Sequence, residues 1–142
     1  MQISTLLSYA GGFKDAVEEI KQLESAGLDM VWVPEAYSFD APSAMGYLAA
    51  NTERVIIASG ILPIYSRTPT LLAMTAAGID YLSDGRCMLG LGASGPQVIE
   101  GFHGVPYEAP VGKMKEIVEI CRMVWRRDRV QHMGKHFQIP LP

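Results

Sequence analysis

The chain has 142 residues, of which 49% are hydrophobic and 19% charged, and it carries a net charge of −3 with a pI near 5.6. That balance describes a globular chain with enough length for one core, and it argues against a nucleic-acid partner because no basic stripe is present. The longest apolar runs are strand-sized and interrupted, so no membrane span is expected, and Met1 leads straight into a strand-like segment, so no signal peptide is expected.

Taken in order, Ile3 to Leu7 reads as a first strand with Gly11-Gly12 as the break after it. Residues 13–26 read as a helix, with Phe13, Val17, Ile20 and Leu23 as its apolar stripe and Gly27 as its stop. Met30-Val31-Trp32-Val33 is a second strand, ended by Pro34-Glu35. A short helix follows to about Ala50, with Asp40 as its N-cap and Pro42 in its first turn, where a missing N–H does no harm. Val55 to Ser59 is the third strand. Its apolar residues do not alternate with polar ones, the habit of a strand buried on both faces in a parallel sheet.

Thr68-Pro69 opens a third helix whose inner face is Leu72, Ala76, Ile79 and Leu82 or Ser83. Ser83-Asp84-Gly85 turns out of it into a fourth strand, Cys87 to Leu91. The long segment from Gly92 to Pro110 holds one turn of helix at residues 97–101. Met114, Ile117, Val118, Cys121, Val124 and Trp125 form the clearest amphipathic helix, and residues 130–139 read as a small hairpin turning at Met133-Gly134-Lys135. Both cysteines, Cys87 and Cys121, fall at core positions, as buried thiols of a reducing compartment do, and a cytoplasmic location is expected.

Alternating βα units demand a parallel sheet with right-handed crossovers. Two architectures fit: a small open doubly wound sheet, or part of a (β/α)₈ barrel, which needs about 250 residues when whole. Four βα units are half of eight. The chain closes on Gln138-Ile139-Pro140-Leu141-Pro142 without a further helix, so a longer parent frame is expected.

No G-x-G-x-x-G follows the first strand and no G-x-x-x-x-G-K-[ST] is present, so classical dinucleotide or nucleoside-triphosphate binding is not expected. His132 and His136 are four apart, but Gly134 between them interrupts the helix a metal pair would want. An exposed hairpin is the better reading, and no metal is expected. His103 lies in a loop. The polar and glycine residues collect where the strands end: Ser8 after strand one, Glu35 and Asp40 after strand two, Ser59-Gly60 after strand three, and Gly92-Ala93-Ser94-Gly95-Pro96 after strand four. A carboxyl-end rim of small residues with a few acceptors suits a flat ligand. Asp40 reads equally as a helix cap, and Glu35 as an acid paired with backbone or an Arg.

These residues have a family likeness. Trp32-Val33-Pro34-Glu35-Ala36-Tyr37 with Asp40, Ser59-Gly60-Ile61-Leu62-Pro63, Arg67-Thr68-Pro69, Leu82-Ser83-Asp84-Gly85-Arg86 and Leu89-Gly90-Leu91-Gly92-Ala93-Ser94-Gly95-Pro96-Gln97 resemble the bacterial luciferase-like oxidoreductases. Gly101-Phe102-His103-Gly104-Val105-Pro106-Tyr107 points to the branch that uses the deazaflavin coenzyme F420. The resemblance covers the whole chain but only the amino-terminal half of the family's TIM barrel.

The resemblance implies a single incomplete barrel domain over residues 1–142, from an oxidoreductase that moves hydride between coenzyme F420 and a small organic substrate. It implies a cis peptide at Gly60–Ile61 that makes a bulge behind the deazaflavin ring. Asp40 would sit near the ring or substrate, with Glu35 beside it as the second candidate catalytic acid. Ser8, Ser59, Gly60, Ile61, Ala93, Ser94, Gly95, Pro96 and Gln97 are the candidate cofactor contacts. Two alternatives stay open: an FMN-dependent monooxygenase of the same superfamily, and a half-barrel inactive by itself that acts by self-association. Strands five to eight are absent, and a barrel's phosphate site commonly follows strands seven and eight. A homo-oligomer or a missing second half-barrel is therefore expected, since open sheet edges invite association.

Overall fold

A computed structural model describes residues 1–8 and 12–141. The elements in order are β1 (Ser4–Leu6), α1 (Phe13–Ser25), β2 (Met30–Val33), α2 (Ala41–Asn51), β3 (Ile56–Ser59), β4 (Leu62–Pro63), α3 (Pro69–Leu82), β5 (Cys87–Met88), β6 (Leu91–Gly92), α4 (Pro96–Ile99), α5 (Pro110–Trp125), β7 (His132–Met133) and β8 (Gln138–Ile139). Gly11 of the expected first break lies outside the described residues. The chain divides into two compact units, Met1–Leu62 with Gly78–Gly90 and Pro63–Ala77 with Leu91–Pro142.

The first unit holds a four-stranded sheet in the order β1-β2-β3-β5, every neighbouring pair parallel. Ser4 lies opposite Met30, Met30 opposite Ile56, and Ile57 opposite Cys87. Val31, Val33, Ile57 and Ala58 are fully buried, as their unbroken apolar runs require. Each valine or isoleucine side chain so buried contributes about 1.5–3 kcal/mol. α1 buries Ala16, Val17 and Ile20, while Leu23 lies at the edge of the stripe and is exposed. α2 begins where Asp40 caps it and buries Ala41, Ala44, Met45, Leu48 and Ala49.

Four expectations change in detail. The fourth strand is interrupted: β5 ends at Met88 and β6 starts only at Leu91. The break is caused by Ser59, whose hydroxyl accepts the Gly90 N–H at 2.8 Å and donates to the Gly90 carbonyl at 2.9 Å. A Cβ at Gly90 would overlap the Ser59 carbonyl oxygen, so this approach requires glycine. Beyond it, Leu62 N–H donates to Gly90 and, in the second unit, Ile64 N–H donates to Gly92. Of the two residues expected to close the inner face of α3, it is Ser83, just past the helix end, that is fully buried, while Leu82 is 65% exposed. α4 starts one residue early, at Pro96, a good first helical position because proline has no N–H to leave unpaired.

The fourth change concerns the second unit. α5 buries Ile117, Ile120 and Cys121; Ile120 belongs to the inner face, and Trp125 is partly exposed with its indole N–H donating to the Ala73 carbonyl at 3.0 Å. The hairpin forms, with His132 opposite Ile139 and Met133 opposite Gln138. It is not simply an exposed ribbon, because His132 is buried and its Nε2 lies 3.2 Å from Glu116 Oε2. No helix among the described residues is long and apolar enough to cross a membrane.

Candidate functional site

Parallel strands present their carboxyl ends along one rim, and in the first unit that rim carries Ser8, Glu35, Ser59, Gly60 and Ile61. Ser8 is exposed just past β1. Val33 ends β2, and the loop that follows returns to α2 through two acids. Glu35 Oε2 accepts the Ala41 N–H at 2.7 Å. Asp40 Oδ2 accepts the Ser43 N–H at 3.1 Å, and the Ser43 hydroxyl lies 2.9 Å from both of its oxygens. The two carboxylates thus satisfy two of the otherwise unpaired N–H groups at the start of α2, and the positive end of the helix dipole favours their charge. Glu35 is paired with backbone, one of the two pairings expected for it. Asp40 is a cap, and it also borders open space.

That space is a cavity of about 470 Å³. Phe13 and Lys14 from the start of α1, Pro34 after β2, Phe39 and Asp40 before α2, and Ser43, Ala44 and Tyr47 on α2 line it. The Phe13 and Tyr47 rings meet with centroids 5.6 Å apart and planes inclined at 57°. Sequence reasoning took Phe13 only as part of a helical stripe and missed Phe39 and Tyr47. A signal was present: Asp40, Ser43, Ala44 and Tyr47 recur at i, i+3, i+4 and i+7, which places them on one face of α2.

Ser59 is buried, and its hydroxyl is engaged with Gly90 in both directions, so it holds the rim backbone in place. The Gly60–Ile61 peptide is cis, and Gly60 N–H donates to the Val33 carbonyl at 2.8 Å. A Cβ on Gly60 would lie 3.3 Å from the Trp32 Cβ, so glycine lets this backbone run close beside the indole.

Residues 93–97 belong to the second unit. Ser94 takes a left-handed conformation, φ 57°, and Gly95 caps α4 by accepting the N–H groups of Val98 and Ile99 at 3.0 Å. Ser94, Pro96 and Gln97 are exposed; Ala93 and Gly95 are half-buried. The Tyr107 hydroxyl donates to the Ser94 carbonyl at 3.3 Å, while Tyr107 N–H donates to Glu100 Oε1. The Tyr65 ring sits 5.3 Å from that of Tyr107, its hydroxyl donates to the Glu108 carbonyl, and burial, then Tyr107 and Glu108 beside it, push its ionisation upward.

His103 stacks edge-on against Phe102, and its Nε2 is buried with no hydrogen-bond partner among the described residues. Cys87 is half-buried and Cys121 fully buried; both are free thiols. Burial pushes each up to about 11, for Cys87 with Asp80 beside it adding to the shift, so neither is a thiolate at neutral pH.

Parallel βα units with an apolar, carboxylate-edged cavity on the carboxyl rim define an α/β protein built as the amino-terminal half of a (β/α)₈ barrel. The chain belongs to the luciferase-like monooxygenase family, whose pattern matches residues 1–142. It is 37% identical over 99% of its length to a Mycobacterium tuberculosis protein named as a coenzyme F420-dependent oxidoreductase, and spans 42% of that protein. It superposes with a TM-score of 0.82 and 27% identity on a structure titled F420-dependent secondary alcohol dehydrogenase in complex with an F420-acetone adduct, covering 96% of this chain and 46% of the other. With a TM-score of 0.84 and 19% identity it matches the fold of the Pseudomonas putida 3,6-diketocamphane monooxygenase oxygenating constituent in complex with FMN, covering 100% of this chain and 45% of the other. The chain therefore spans less than half the length of the relatives it matches.

Proposed function

We propose that the complete barrel to which this chain contributes is an oxidoreductase transferring hydride between coenzyme F420 and an organic substrate. The observation that carries the reading is the rim: small residues, a glycine backbone beside an indole, and an apolar cavity edged by Asp40 on a sheet whose relative is named for coenzyme F420. A planar, largely apolar ring suits this surface, because nothing bulky projects at Gly60 and the carboxylates are already held by backbone N–H groups. Ser8, Ser59, Gly60 and Ile61 are the proposed contacts in the first unit. The bound coenzyme supplies hydride chemistry; the chain supplies a shelf, an orientation and, at Asp40 and Glu35, carboxylates able to hold a proton.

Residues 1–142 are proposed to act as one incomplete barrel domain in the cytoplasm. Because the sheet ends on β1 and β5, the missing strands come from the rest of a longer polypeptide or from a second copy. The FMN-bound monooxygenase match favours one alternative, an FMN enzyme. Titration of the complete protein with each cofactor, followed by absorbance, separates them: tight binding of coenzyme F420 with no retention of FMN is expected, and the reverse would replace the reading.

A further inference from the structure

The cavity beside α2 has a composition that selects its ligand. Its walls are rings and short aliphatic groups: Phe13, Phe39, Tyr47 and Ala44. One exposed cation, Lys14, is among its lining residues, and so is the Asp40 carboxylate. A phosphorylated or polyanionic ligand would have to desolvate its charge against apolar walls and face a fixed carboxylate, which is unfavourable. An apolar ligand loses nothing there and covers the rings. Asp40 adds direction. Of its two oxygens, Oδ2 takes the Ser43 N–H, and the single Ser43 hydroxyl hydrogen is shared between both. A carboxylate has about four acceptor positions, so Oδ1 keeps capacity for one more donor.

We infer that this cavity binds an uncharged, ring-bearing molecule with a hydroxyl group, its ring against Phe13 and Tyr47 and its hydroxyl donating to Asp40. This names the substrate class of the oxidoreductase proposed above and rests on that reading. A volume of about 470 Å³ suits a one- or two-ring compound.

The test is direct binding of 2-naphthol to the full chain, followed by ligand-observed NMR, with 2-methoxynaphthalene as the partner lacking a donor and glucose 6-phosphate as the anionic competitor. Saturable 2-naphthol binding is expected, about tenfold tighter than the ether. Asp40→Ala should erase that preference while leaving the ether's affinity unchanged, and Ala44→Leu should weaken both by filling the cavity. If Ala44→Leu fails to fold, Phe39→Ala, at an exposed position, removes a wall and should weaken both equally. Equal affinity for naphthol and ether, displacement by glucose 6-phosphate, or indifference to both cavity variants overturns the inference. A parallel titration of the complete barrel with coenzyme F420 keeps the two readings apart. Coenzyme binding without naphthol binding sinks the cavity assignment alone; naphthol binding without coenzyme binding sinks the oxidoreductase assignment and leaves the cavity's ligand class standing.

Discussion

Two carboxylates in this chain do the same chemistry with different consequences. Glu24, in the last turn of α1, accepts the N–H groups of Glu53, Arg54 and Val55, the latter two at 2.6 Å. Glu116, in the second turn of α5, accepts those of Lys135, His136 and Phe137 at 2.9–3.1 Å and faces His132. Burial pushes both carboxyls up, but the converging donors outweigh it, with His132 adding to the effect at Glu116, and both lie below their ordinary value of 4.5.

The difference is what else holds the clamped backbone. The segment before β3 is also gripped from its carbonyl side by Arg86, which donates to Ala49, Thr52 and Val55 carbonyls and to the Thr52 hydroxyl. It then runs into a strand registered to β2 over four residue pairs. The hairpin has two residue pairs and one turn hydrogen bond, Gly134 N–H to the Phe137 carbonyl. A two-stranded ribbon of that size is not stable by itself. Identical side-chain chemistry is therefore redundant in one place and decisive in the other.

The largest way to break this contrast is Arg86→Ala. It strips the first clamp of its backing and leaves carbonyls at the end of α2 unpaired, at a cost of about 3 kcal/mol read by thermal or urea unfolding. Arg86→Lys should recover little, because an ammonium cannot fork between these acceptors.

Next is Glu116→Ala, expected to cost about 2 kcal/mol locally. Amide exchange should accelerate across residues 132–139 while the α5 core keeps its protection. The same contact sets a pH dependence. A carboxyl whose docked pKa is depressed stabilises fully above its ordinary value of 4.5 and loses that contribution as pH falls through the docked value. Protection at residues 135–137 should therefore drop on acidification in the wild type and stay flat in Glu116→Gln; a flat wild-type profile would contradict the clamp.

Glu24→Ala should cost only about 1 kcal/mol, because Arg86 and the β2–β3 register remain. The cost should rise when Arg86→Ala is already present, and strict additivity would refute the redundancy. The smallest effect belongs to a third carboxylate. Asp40→Asn should change stability by less than about 0.5 kcal/mol, since Asn caps as well as Asp, whereas Asp40→Ala should cost about 0.5–2 kcal/mol. In the complete barrel, Asp40→Asn should nonetheless lower turnover by about 10²-fold or more if its carboxylate handles a proton.

The local pattern of this sequence determined a good deal. Unbroken apolar runs at residues 30–33 and 55–58 marked strands buried on both faces, and βα alternation required the parallel order found in β1-β2-β3-β5. Asp40 followed by Pro42 marked the start of α2, and the family likeness of Ser59-Gly60-Ile61-Leu62-Pro63 anticipated the cis peptide at Gly60–Ile61. These are properties of neighbours in the chain or of an inherited motif. What only the tertiary structure decided are the meetings across long separations. Ser59 breaks the fourth strand 31 residues away, Arg86 reaches back 37 residues to Ala49, and Glu116 holds a hairpin 19 to 21 residues on, burying a histidine expected to be exposed. Periodicity says which face of an element is apolar; it carries no term for which distant N–H or carbonyl will arrive there. A buried polar group must be satisfied by whatever partner the fold brings, and that partner exists only once the chain has closed on itself.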